Sequence, residues 1–277
     1  MRTEGSGRIV ALGTNALASS IVLSCRPRLA DAPVATRREF LSALKHELPD
    51  ALRYLQEGNI APVDLAQASI GPGMALFTRY AQVMEADGSA MSVRTALGII
   101  NQMLDEVLAE QEGEFDPDTR WAVAWFEQFG TEEGPFGEAE TLSRAKNTAV
   151  NGLVDAGIIS ARAGKVRLLK REEIVLQASS LLSKSAGKMP APQWQIVQRL
   201  IQELETGGEQ AAAGLLGQLG NAGEPARDLA YRLYNMCDRK KWAQEALAYN
   251  SLVIAWPEIS RLAHSRPSTP QTQEEMF

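Results

Sequence analysis

The sequence predicts a mainly α-helical protein with a small β contribution. Three observations predict it. Apolar residues recur at helical spacing through most of residues 36–262. Strand-like runs are short and confined to residues 9–25 and 159–169. Pro and Gly stand where helices should begin and end, as at Pro117 and Gly157.

The 277 residues are enough for two domains or three small ones. A hydrophobic share of 45% and a charged share of 22% place the chain among ordinary soluble globular proteins. No run approaches the roughly 18 apolar residues of a membrane span. Arg2 and Arg8 are separated by Gly-rich polar residues, without the continuous apolar core of a secretory signal. Cys25 and Cys237 lie far apart with apolar neighbours, which predicts free thiols in a reducing cytoplasm, with neither a disulfide framework nor a zinc site.

Taken in order, residues 8–28 hold an apolar, β-branched run, Ile21, Val22 and Leu23, bounded by Gly13-Thr14-Asn15 and Pro27. It reads as a buried strand with a partner at residues 9–12. A lone hairpin is marginal in water, so these strands need a sheet to join. Residues 36–57 read as a helix with Phe40, Leu41, Leu44, Leu48, Leu52 and Leu55 in period, kinked or divided at Pro49. Residues 62–84 read as a second helical region broken at Gly71-Pro72-Gly73. Ser92 should cap a helix reaching Gln111, with Val93, Ala96, Leu97, Ile100, Met103, Leu104, Val107 and Leu108 as its stripe. Glu106, Glu110, Glu112, Glu114 and Asp116 then read as a solvated acidic helix end.

Residues 116–171 are the most informative. Asp116 followed by Pro117 is an N-cap acceptor before a residue whose missing N–H costs nothing at the first helical position. Trp121, Ala122, Trp125, Phe126 and Phe129 fall on one face. Next comes a helix pair, with Leu142, Val150, Leu153 and Val154 apolar and Gly157 as the terminating residue. A hairpin turning at Gly164 closes the stretch, with Val166 and Leu168 alternating with Arg167 and Leu169. Helix, helix pair, hairpin is a winged-helix-like order. Beyond a Ser-, Lys-, Ala- and Pro-rich linker at residues 177–192, helices at 194–206, 210–219, 225–239 and 241–256 and a last short one from Pro257 predict a small bundle. Residues 266–277 read as a disordered tail.

Charge singles out the same stretch. Residues 142–171 carry seven bases against one acid, a net +6, while the chain as a whole is −6. Such an island is the footprint of phosphate contact. Arg144, Lys146, Asn147, Thr148 and Asn151 are the candidates for a DNA groove, Arg162, Lys165 and Arg167 for the wing, and Lys170 and Arg171 for added charge behind it. The plainer alternative is a solvated face on a protein-docking module. Catalytic constellations are absent from the sequence: His46 and His264 stand without a nucleophile–base pattern, and there is no Walker lysine loop, Gly-x-Gly-x-x-Gly or metal-ligand spacing.

The segments GTNALASSIVLSCRPR, ALRYLQEGNIAPVDLAQASIGPGM, RWAVAWFEQFG, GPFGEAETLSRAKNTAVNGLVDAGI and ARDLAYRLYNMCDRKKWAQEALAYNSLVIAWPEISRLA resemble the C-terminal third of large bacterial adenine-specific DNA methylases, which carry an N-terminal domain of unknown function and often sit in phage-defence loci. The resemblance implies terminal strands of a truncated methylase sheet at residues 1–35. Behind it come a helical region at 36–112, a winged-helix-like domain at 113–176, the linker, and a bundle at 193–265. In that family the Asp-Pro-Pro-Tyr motif and the S-adenosylmethionine loop lie upstream, and this sequence has neither; Asp116-Pro117-Asp118 is explained by capping. The chain is therefore expected to be a non-catalytic C-terminal portion of the methylase, inactive alone. It would take no cofactor itself, contacting duplex DNA and docking to a catalytic half or other defence-system proteins. The alternative is a free-standing winged-helix scaffold or DNA-binding protein of a defence locus.

Overall fold

In the computed structural model residues 24–182 and 191–265 are described, and they form ten α-helices and five short strands. The predicted strands at residues 9–23 and the predicted tail at 266–277 lie outside the described residues.

The N-terminal region is built on α1 (Arg37–Glu57). Its first turn is closed by a capping box, the Thr36 amide donating to Glu39 Oε2 at 2.7 Å and the Glu39 amide to Thr36 Oγ1 at 3.3 Å. Phe40, Leu44, Leu48 and Leu52 are fully buried along one face, and the helix runs through Pro49 undivided. Continuous burial on both sides of the proline offsets the one backbone hydrogen bond it removes.

α2 (Pro62–Thr78) departs from expectation in the same way. Gly71-Pro72-Gly73 lies inside it and does not break it. At Gly73 a methyl group would stand 2.6 Å from Cγ2 of Ile100, so the glycine is a notch through which α3 (Val93–Glu110) approaches. The segment read as the end of this helix is a strand: β2 (Gln82–Met84) pairs in parallel with β1 (Val34–Thr36), Ala35 opposite Val83. Val83 is 1% exposed, a β-branched residue in a three-residue run too short to register as a strand by periodicity. Ser92 caps α3 as expected, accepting from the Thr95 amide at 3.0 Å. Ala96, Ile100, Met103, Leu104, Val107 and Leu108 are buried, while Val93 is exposed and Ile99, absent from the predicted stripe, is buried.

The C-terminal bundle comprises α8 (Gln193–Leu219), α9 (Pro225–Lys240) and α10 (Ala243–Ser265), with α10 packed on both others. Gly208 has non-helical angles (φ 70°, ψ −169°), so α8 is two helical segments that meet at a kink where Gly207-Gly208 predicts a stop. Pro257 does not start a new helix. It lies within α10, between buried Leu252, Val253 and Trp256 on one side and Ile259 on the other. α2 and α3 touch α9, α2 touches α10, and α4 (Pro117–Phe129) touches α8, so one hydrophobic core runs through the N-terminal helices, the central unit and the bundle.

Candidate nucleic-acid interface

Between α4 and the bundle the order is α4, β3 (Gly134–Pro135), α5 (Phe136–Lys146), α6 (Val150–Asp155), β4 (Ile159–Arg162), β5 (Lys165–Leu168) and α7 (Arg171–Leu182). β5 is the central strand, antiparallel to β3 on one side and β4 on the other. Asp116 caps α4 through the Thr119 amide at 2.8 Å. Trp121, Trp125 and Phe126 are buried beneath the sheet and against the bundle. Trp125 lies so near Gly134 that a Cβ there would meet its ring at 2.7 Å, which fixes glycine at the start of β3.

The predicted helix pair is separated at Asn147, a left-handed residue (φ 60°) that terminates α5. Val150 and Leu153 anchor α6 inward. Asn151, Gly152, Val154 and Asp155 face out, so Val154 is not part of the apolar face expected of it. Gly157 (φ 70°) ends α6 as predicted. The hairpin turns on Ala163 and Gly164, both with positive φ (50° and 75°), the two-residue turn whose twist suits antiparallel strands. Val166 and Leu168 point inward as expected, but the alternation stops there: Leu169 is buried too, its amide donating to the Ile158 carbonyl at 2.9 Å.

The ten candidate residues fall into two sets. Arg144, Asn147 and Asn151 are exposed around the α5–α6 turn, with half-buried Lys146 beside them. Arg162 and Lys165 are exposed at the hairpin tip, Lys165 within 3.3 Å of Glu133, and Lys170 is exposed behind it. An ion pair this open is worth little. The other three have structural partners. The Thr148 hydroxyl donates to Asp118 Oδ1, tying the α5–α6 turn to the first turn of α4. Arg167 makes a two-pronged contact with Glu173 at 2.7 and 2.8 Å. Arg171 reaches Gln198 at 2.9 Å and Glu245, and lies 5.6 Å from the centre of the Tyr249 ring.

Electrostatics follow these contacts. The Arg167 guanidinium is the main reason the Glu173 carboxyl is held down at about 2. Burial opposes the charge of Arg171 but is outweighed by Tyr249 and Glu245, so its pKa is raised. Burial pushes the Cys237 thiol up to about 12, which leaves it an inert core residue. The acids that neutralise the island lie just outside residues 142–171: Glu133 before it, Glu172 and Glu173 after it. With eight bases against ten acids, residues 116–176 carry −2, not a positive charge. Glu173 was findable, since it stands three residues after Lys170, whose amide it accepts at 2.8 Å as an N-terminal cap of α7. That helix runs into the segment read as a linker, as far as Leu182.

No group of three or more His, Cys, Asp or Glu side chains among the described residues could hold a metal ion. No helix among them is long and apolar enough to cross a membrane.

Residues 116–276 match a family described as a domain of unknown function, DUF8807. The match covers more than half of the 277 residues. The chain belongs to the DUF8807 family. The DUF8807 region begins at the Asp116 cap, takes in the α4–β5 unit and the bundle, and leaves α1 to α3 outside. No curated protein and no solved structure matches the chain.

Proposed function

We propose that this chain is a non-catalytic, duplex-DNA-contacting part of an adenine-specific DNA methylation system of the restriction or phage-defence kind. The observation that carries DNA contact is the helix–turn–helix and hairpin order α5–α6–β4–β5, with polar and basic side chains left exposed at its two tips. A helix–turn–helix lays its second helix in the major groove. There Asn151, and Asn147 beside it, match the donor–acceptor pattern of an adenine edge, while Arg144 reaches phosphate. Arg162 and Lys165 on the hairpin would touch the flanking backbone. The methylase assignment rests on the sequence resemblance. In it S-adenosylmethionine and the flipped adenine belong to a separate catalytic part, so label transfer from S-adenosylmethionine to duplex DNA by this chain alone is expected to stay at background.

Fluorescence anisotropy with a short labelled duplex at low salt tests the contact. With a −2 unit and an acidic chain, affinity should lie near the weak nonspecific range of roughly 10⁻⁴ to 10⁻⁶ M. Replacing Arg144, Arg162 and Lys165 with alanine should weaken binding on any sequence and flatten the log–log salt slope by roughly 0.9 for each phosphate no longer neutralised. No shift at low salt, or a triple variant that binds like wild type, overturns the reading.

One observation favours a second reading, a protein-docking scaffold. Arg167 and Arg171, two of the seven bases, are engaged by Glu173 and Glu245 and hold the unit to itself and to the bundle.

A further inference from the structure

A groove of about 400 Å³ opens between the end of α4 and the start of α10. Its volume lies within the range of small-ligand sites, about 300–1,000 Å³. Phe126, Phe129 and Trp242 form its aromatic wall. The rings are held from behind. Trp125 covers part of Phe129 at 4.3 Å between centroids, and Phe126 meets Trp242 edge-on at 5.1 Å. Gly130 has φ +61°, and a Cβ there would stand 3.3 Å from the Trp242 ring, so the chain passes close along that indole. Phe129 and Trp242 remain half-exposed, and both line the groove.

Two carboxylates stand beside the rings. Glu132 and Glu245 line the groove together with Thr131 and Gln244, and no Lys or Arg is among its lining residues. The Glu132 amide donates to the Phe129 carbonyl at 3.1 Å, which keeps this residue next to the end of α4. Its side chain is exposed and makes no ion pair among the described residues. Glu245 gives Oε2 to Arg171, while its Oε1 accepts no hydrogen bond among the described residues. Aromatic faces and carboxylates both attract a cation and both repel an anion. A neutral apolar ligand would cover the rings and leave the carboxylates unanswered. A guanidinium answers both, since it stacks flat on a ring and forks onto a carboxylate. The chain already holds one in this way: Arg171 lies 5.6 Å from the centre of the Tyr249 ring and donates to the same Glu245.

We propose that this groove is a docking site for an arginine side chain presented by a basic segment of a partner protein. The guanidinium stacks against Trp242 and Phe129 and donates to Glu132, with Glu245 Oε1 as a further acceptor. The −6 charge of the chain steers a basic segment toward it. The site is separate from the α5–α6 turn and the hairpin, and it does not depend on duplex binding there.

The probe is a fluorescein-labelled peptide of three Gly-Arg-Gly units, titrated by anisotropy into the full chain at low salt. Two further peptides carry lysine or the neutral isostere citrulline in place of arginine. The arginine peptide should bind, the lysine peptide more weakly, and the citrulline peptide not at all. Glu132→Gln changes one exposed side chain, so folding is not at stake, and it should weaken the arginine peptide by roughly 2- to 5-fold, the scale of an open ion pair. Phe129→Leu keeps apolar volume but removes a ring, and it should weaken binding by roughly 2- to 30-fold, the scale of one cation–π contact. Glu140→Gln removes the same charge from an exposed position on α5 outside the groove lining and should leave binding unchanged. No binding of the arginine peptide, or the same affinity in Glu132→Gln as in wild type, overturns the proposal. Equal losses in Glu132→Gln and Glu140→Gln overturn it as well, because attraction to an acidic chain then suffices. A lysine or citrulline peptide that binds as tightly as the arginine peptide overturns the arginine assignment.

Discussion

The carboxylate of Asp116 joins two helix ends that lie 77 residues apart: Oδ1 accepts the Thr119 amide of α4 at 2.8 Å, and Oδ2 accepts the Gln193 amide at the start of α8 at 3.0 Å. The Thr119 hydroxyl continues the arrangement, donating to Asp116 Oδ2 and accepting the Trp194 amide at 2.9 Å. α8 follows Pro192 and has no side-chain cap of its own, so its orphan amides are satisfied from α4. One short sequence element thereby caps one helix locally and fixes where the bundle begins. Asp116→Ala removes both caps. At roughly 0.5–2 kcal/mol per cap, the loss should total about 1–4 kcal/mol, read as a lower urea midpoint with an unchanged slope. A loss under about 0.5 kcal/mol would mean water replaces both contacts without penalty.

Gly73 tests the continuity of α2. A methyl group there would enter the Ile100 side chain at 2.6 Å, so Gly73→Ala should destabilise by about 1–3 kcal/mol through overpacking, although alanine is the better helix former. Pairing it with Ile100→Ala, which removes the three side-chain carbons the methyl would meet, should cost less than the sum of the two single changes. If Gly73→Ala is neutral or stabilising in urea denaturation, α2 and α3 do not approach each other this closely.

Gly73 also shows what is and is not legible in a sequence. Capping is legible because it is local: Thr36 with Glu39, Ser92, and Asp116 with Pro117 each lie within one turn of the amides they serve. The hairpin is legible for the same reason, since turn and alternation lie within ten residues. Proline inside a helix misleads at Pro49, Pro72 and Pro257, because packing on distant elements decides whether a helix survives it. The β1–β2 pair joins segments nearly fifty residues apart and has no local signature. At the candidate interface residue types are readable, but partners are not. Arg171 looks the same in sequence whether it faces phosphate or, as here, Glu245.

The Arg167–Glu173 pair predicts a pH dependence. Glu173 is held at about 2 in the folded chain against an ordinary value of 4.5. A depressed folded-state pKa contributes stability that is present above the unfolded value and is lost as pH falls toward the folded one. Glu173→Gln should therefore lower the melting temperature at pH 7, and the gap to wild type should narrow steadily from about pH 5 to pH 2. Glu173 is partly exposed, so the gap should also shrink in high salt. A gap that holds constant across this pH range would assign the effect to packing and not to the carboxylate's charge.

Arg171 separates a structural role from a DNA-contacting one. Its side chain is only 17% exposed, lies against the Tyr249 ring and is shared between Gln198 and Glu245. A phosphate contact needs only a positive charge, which lysine supplies, whereas this site uses the planar fork and the stacking surface of a guanidinium. Arg171→Lys should therefore cost about 1–3 kcal/mol, the scale of hydrogen bonds to a buried charge, while leaving duplex affinity within about twofold. Arg171→Met, which keeps the length and removes the charge, should cost more, because Glu245 loses its partner in a half-buried setting. Hydrogen exchange should show faster opening at the start of α7 and of α10 in both variants, with α1 to α3 unaffected. If Arg171→Lys is as stable as wild type but Arg171→Met loses duplex binding, the side chain leaves Glu245 for phosphate when DNA is present, and Arg171 is a DNA-contacting residue after all.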